Sequence, residues 1–230
     1  MSLRVPGGGV GRNPFGVQAP TGKPQTESLG EQIQDSLFGK KKPPVLDQDD
    51  ADCASLMARL QPFRKKLARM IGDQESDYRL LLAAGTIAMI DREGTIYIGK
   101  SFLLSTAEAL PLQVGILAHE IGHRPKRWDE YRSAAPQSRA EAEDLCKLEE
   151  TRADFYSGFA LAQLKLPCEP LCAFLERIQD QPHPEYFSAP LRAKTIREGH
   201  ALGRGQAATL KRMFPDAARM LLPEHDLGSG

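Results

Sequence analysis

The sequence predicts an α+β fold, mostly helical, with one small antiparallel sheet. Three observations carry this. Apolar residues recur at helical spacing over residues 51–71 and again over 138–166. The run Leu112-x-x-Gly115-Ile116-Leu117-Ala118 is almost wholly apolar and carries no solvating charge, which reads as a buried helix. Between these, Thr86-Ile87-Ala88-Met89-Ile90 and Thr95-Ile96-Tyr97-Ile98 flank the turn Asp91-Arg92-Glu93-Gly94, and that pattern marks a hairpin.

In chain order, residues 1–50 read as a disordered tail. Gly and Pro dominate it, from Pro6-Gly7-Gly8-Gly9 to Lys40-Lys41-Lys42-Pro43-Pro44, and large apolar residues are too sparse to offset the entropy of ordering it. Only Gly30 to Phe38 suggests a short amphipathic turn. The folded domain spans residues 51–222, and 223–230 form a flexible C-terminus. Leu56, Met57, Leu60, Phe63, Leu67, Met70 and Ile71 define a first amphipathic helix, which Pro62 would break or kink. Its Arg64-Lys65-Lys66 run is a solvated face. Ser105-x-x-Glu108 reads as a capping box, and Pro111 suits the first turn of the next helix, where its missing N–H costs nothing. That helix runs from near Pro111 to near His123, and Pro125 stops it. A long helix follows, from about Ser138 to Leu166.

Lys+Arg and Asp+Glu balance at 30 each, so overall charge implies neither a nucleic-acid partner nor a membrane surface. No apolar run is long enough for a transmembrane segment, and the N-terminus lacks the apolar core of a secretory signal. The expected location is cytoplasmic, or outside the cell by a route without a classical signal peptide. Cys53, Cys146, Cys168 and Cys172 are too few for a disulfide framework and read as reduced thiols. Cys168 and Cys172 would share a helical face and could bind metal, although no second cysteine pair completes a four-thiolate site.

The chemistry concentrates in Leu117-Ala118-His119-Glu120-Ile121-Gly122-His123. Residues four apart share a helix face, so His119 and His123 can bind one zinc ion, and Glu120 can reach a water on it as general base. Buried His and Glu need partners, and a metal with its water supplies them. Two histidines leave zinc one protein ligand short. Asp129, six residues after His123, is one candidate, but Lys126 stands where the tight turn of such an extended motif needs glycine. Glu150 is the better candidate. It lies four residues before Asp154 in Glu149-Glu150-Thr151-Arg152-Ala153-Asp154, a spacing that lets Glu150 ligate while Asp154 orients a ligating imidazole. Ser157, Gly158 and Leu161 continue that face, the first two small enough for close helix packing.

Together, Leu117 to His123 and Glu150-Thr151-Arg152-Ala153-Asp154 resemble the gluzincin metallopeptidases of the CAAX prenyl protease and HtpX-like kind. Without a transmembrane segment the chain is most similar to their small soluble versions, the minigluzincins. The resemblance covers roughly residues 80–200. It implies a zincin-like domain in which Zn2+ is held by His119, His123 and Glu150, Glu120 is the general base, and Asp154 anchors a ligand. It further implies that His183, followed by Pro184, and Arg192 contact the substrate or stabilise the oxyanion, with His200 as the fallback.

The expected activity is thus zinc-dependent endopeptidase action on a protein or peptide substrate, which would lie along the edge from Thr95 to Lys100. The alternative is a zinc-bound scaffold, or a secreted effector, that acts by binding partners. Autoinhibition by the N-terminal tail, with Asp47, Asp49, Asp50 or Cys53 placed on the zinc, is a third expectation about regulation.

Overall fold

The computed structural model describes residues 41–126, 138–179 and 183–213. It contains six helices and a three-stranded mixed sheet, an α+β architecture: α1 (Ala54–Met70), a 3-10 turn (Glu75–Asp77), β1 (Arg79–Ala83), β2 (Ala88–Ile90), β3 (Thr95–Gly99), α2 (Lys100–Ser105), α3 (Leu110–Gly122), α4 (Arg139–Gln163), α5 (Glu169–Ile178) and α6 (Ala189–Met213). No helix among the described residues is long and apolar enough to cross a membrane.

The hairpin forms where β-branched residues flank the glycine turn. Gly94 sits at φ 82, and a Cβ there would stand 2.0 Å from Asp77 O, so both its backbone angle and its surroundings require glycine. Asp91 locks the turn by accepting from the amides of Glu93 and Thr95 and from the Tyr97 hydroxyl. The sheet is nonetheless larger than a hairpin. β1 pairs in parallel with β3 and β2 pairs antiparallel with it, giving the order β1-β3-β2. Arg79–Ala83 lacks the polar alternation that would have marked it as a strand.

This order corrects the expected substrate edge. β3, which carries Thr95 to Gly99, is the central strand with both edges paired, so no peptide can add there. The outer strand beside α3 is β2. Ile87 and Asp91 bond across to β3, so the alternate residues Ala88 and Ile90 turn their backbone groups away from it.

Residues 41–50, which composition placed in the tail, run along β1. Leu46 N donates to Leu82 O, Ala84 N donates to Pro44 O, and the Gln48 side chain bonds both the amide and the carbonyl of Leu82. Lys42 pairs with Asp91 and Glu93, and Lys100 pairs with Asp50 and Asp52. Two other expectations also change. α1 continues through Pro62. Ser105 ends α2 rather than capping a helix, and its hydroxyl donates to Phe102 O, while Ala109 precedes α3 with no side-chain cap.

α3 is the centre of the molecule, and every residue from Leu112 to Gly122 is buried. It packs on α4, α1, α5 and β2. Gln113, the buried polar side chain in its first half, is satisfied: it donates to Leu103 O and Thr106 and accepts from Arg59. α4 and α6 lie side by side in the same direction, separated by little more than backbone. A Cβ at Gly158 would stand 1.9 Å from Ile196 O, at Gly199 2.1 Å from Phe155 O, and at Gly203 2.7 Å from Phe159 O. This glycine seam fixes α6 against the polar face of α4.

Candidate metal centre

His119 and His123 stand one turn apart on α3, and Glu150 faces them from α4. What sets the gap between the helices is Gly122, where a Cβ would lie 2.9 Å from the Ala153 Cα. Any larger residue would push the glutamate away from the histidines. His119 Nε2 is 3.2 Å from Glu150 Oε2, and His123 Nε2 is 3.7 Å from Glu150 Oε1. One ligand atom from each of the three residues lies within 4.8 Å of the others, and all three residues are buried.

A second layer of charge stands behind this group. His119 Nδ1 is 3.0 Å from Asp154 Oδ1, which fixes the ring and leaves Nε2 toward Glu150. Asp154 accepts two bonds from Arg192 on α6, from Nε at 2.7 Å and Nη2 at 2.9 Å. Arg192 also approaches Glu150 at 3.7 Å and lies over the Tyr186 ring at 4.9 Å. At the end of α3, Arg124 takes a left-handed conformation (φ 47) and is tied to Asp73 by Nε at 3.2 Å and Nη2 at 2.8 Å. That pair turns the chain sharply away just after His123.

The electrostatics follow from burial. Burial alone would depress the His119 imidazole, but hydrogen bonds to Asp154 and Glu150 outweigh it and lift it to about 10. Burial pulls His123 down to about 4 and pushes Glu120 up to about 8. Burial opposes ionisation of Asp154, yet the Arg192 charge and the His119 bond hold it at about 2. Ile90, on the outer strand β2, donates its amide to the Glu120 carboxylate. Glu120 Oε1 is buried and has no hydrogen-bond partner among the described residues.

These residues fit a divalent metal. Two imidazoles and a carboxylate are a suitable donor set for zinc. A dication together with Arg192 would balance Glu150 and Asp154 in place of a proton on His119, and would favour the ionised form of Glu120. The unpartnered Glu120 oxygen points to a polar occupant that the protein itself does not supply.

The other candidate residues fall as follows. His183 is half-buried at an isolated bridge with Tyr186. Its Nδ1 accepts from the Glu185 amide at 3.2 Å, which leaves the proton on Nε2, and burial lowers its pKa. Arg192 is committed to Asp154, so its place is behind the ligands rather than over a substrate. His200 lies away from the group, with Nε2 2.9 Å from Leu166 O. Glu149 turns to Arg152 at 2.9 Å. Asp129 lies outside the described residues, as does the C-terminal segment 223–230. The Ile90 amide and the Gly122–Ala153 contact were not legible in the sequence: a backbone donor leaves no residue signature, and the contact joins two helices with no pattern in common.

No protein-family model matches this chain, and no curated protein or solved structure matches it. The site therefore stands on its geometry: a buried His119, His123 and Glu150 group, with the histidines at the spacing of an H-E-x-x-H helix, able to hold a metal ion.

Proposed function

We propose that this chain is a zinc-dependent endopeptidase of the gluzincin type. The observation that carries the reading is the buried carboxylate of Glu120, unpartnered at Oε1, adjoining a three-residue ligand group. Metal binding by these three residues has no need of a further buried acid beside them. Bound zinc would supply Lewis-acid polarisation of the scissile carbonyl and acidify an attacking water.

The protein's own residues do the rest. Glu120, raised to about 8 by burial, takes the proton from water and returns it to the leaving amine. The Ile90 amide holds the carboxylate in place while it does so. His119 and His123 present Nε2, and Asp154, clamped by Arg192, keeps the His119 ring from turning. His183, with its proton on Nε2, would donate to the developing oxyanion.

The test is Glu120→Gln. Zinc content should stay at the wild-type level, while hydrolysis of a peptide library falls by roughly 100- to 10,000-fold, the range a general base contributes. Undiminished hydrolysis would rule out this mechanism. A wild-type protein that binds zinc but cleaves nothing in the library would favour the partner-binding scaffold.

A further inference from the structure

The start of α5 gathers a second set of metal-ligating side chains, remote from the first in chemistry and independent of the reading above. We propose that Cys168, Cys172 and Glu169 form a second metal site, selective for a thiophilic divalent cation of the zinc and cadmium class. The geometry is nearly in place. Both sulfurs and a Glu169 carboxylate oxygen lie within 4.8 Å of one another, with Cys168 Sγ 3.9 Å from Glu169 Oε1. Tetrahedral zinc with Zn–S bonds of about 2.3 Å places its sulfurs about 3.8 Å apart. Side-chain rotations that close a gap of at most about 1 Å complete the set, with no backbone movement.

The backbone around the cluster is already fixed. Lys165, at φ 58, ends α4 in the left-handed region, Leu166 N donates to Leu161 O, and the His200 ring holds Leu166 O. Pro167 precedes Cys168, and Pro170 stands in the first turn of α5. Little ordering entropy is left to lose on binding.

Charge supports the same assignment. Two thiolates and one carboxylate exceed a dication by one negative charge. Arg197 supplies the balance, gripping Glu169 with Nε at 3.0 Å and Nη2 at 2.8 Å. Cys168 also stands at the residue just before α5, where the helix end favours a thiolate. Both cysteines are free and buried. Cys172 spends its S–H on Ala193 O at 3.6 Å. Metal binding therefore releases two protons to solvent, one from each thiol, and replaces that weak bond. Glu169 is largely exposed, which gives the ion a way in and leaves a fourth position for water.

Cobalt is the probe. The full-length protein, stripped of metal and kept reduced with a phosphine, is titrated with Co2+. A near-ultraviolet thiolate-to-cobalt charge-transfer band should rise and saturate with bound metal. It should vanish in Cys168→Ser, which keeps its fold because serine is itself a favoured cap. Glu169→Gln should keep the band but weaken cobalt affinity by about tenfold or more. His119→Ala should leave the band unchanged, because the histidine site contains no sulfur, so failure here is distinguishable from failure of the peptidase reading. A reduced, folded wild type with no band, or a band that survives Cys168→Ser, would overturn the proposal.

Discussion

The two ligand clusters differ most in what stands behind them. His119, His123 and Glu150 are buried, and a second layer of Asp154 and Arg192 is buried with them. Cys168, Cys172 and Glu169 have buried sulfurs but an exposed carboxylate, and their balancing cation, Arg197, is 44% exposed in its side chain. A charge in water costs little to hold and adds little; a charge in the interior must be compensated atom by atom. The first cluster therefore has the construction expected of a site where charge must be controlled during a reaction. The second has the construction of a site that only holds an ion.

Removing the cation from each cluster sharpens this contrast. Arg192→Ala strands Asp154 in the interior and should destabilise the fold by about 3–5 kcal/mol, read from urea unfolding. In the fraction that folds, zinc affinity at the histidine site should fall by roughly 10- to 100-fold, because the His119 ring loses its anchor. Arg192→Lys should recover only part of this, since an ammonium cannot make both bonds to Asp154.

The glycine seam is the next test, because it brings Arg192 to Asp154 at all. Gly158→Ala drives a methyl into Ile196 O and should cost about 1–3 kcal/mol, with a loss of zinc affinity at a residue that touches no ligand. Stability lost with zinc affinity unchanged would show that the seam supports the fold but not the site.

The smallest effect belongs to Arg197→Ala. Its pair with Glu169 is a surface one, so stability should change by less than about 1 kcal/mol, while cobalt affinity at the thiolate cluster drops. A stability loss as large as that of Arg192→Ala would erase the distinction between the two clusters.

How much of this was legible in the sequence follows from the range of each signal. The α+β class, the hairpin and the long helices came from local periodicity. The boundaries of α3 and α4 fall within a few residues of those expected, because Pro111, Pro125 and Ser138 act locally; the Ser138 side chain accepts from the Glu141 amide at the start of α4. β1 was not legible, since a strand buried in parallel with a neighbour shows no alternation. The strand order was invisible for the same reason, and with it the fact that β3 is interior.

In the site, the spacings His119-x-x-x-His123 and Glu150-x-x-x-Asp154 placed each pair on one helix face, which is as far as period reaches. That the two faces meet depends on Gly122 against Ala153, a tertiary contact. Arg192 was named for the substrate side, yet the structure places it behind Asp154. A sequence shows that an arginine is present; only the packing of α6 on α4 shows which carboxylate it serves. The small residues Ser157 and Gly158 on α4 and the Gly199-x-x-x-Gly203 spacing on α6 were the available hints of that packing.

Everything proposed for the first cluster requires that His119, His123 and Glu150 hold one metal ion. Elemental analysis of purified protein tests it most directly, done in a Cys168→Ser background so that the thiolate cluster contributes nothing. About one zinc per chain is expected in that background, lost in both His119→Ala and Glu150→Ala. Zinc retained by Glu150→Ala would move the third ligand to Asp129 or Glu149, and no zinc in any of the proteins would rule out a metal site at these histidines.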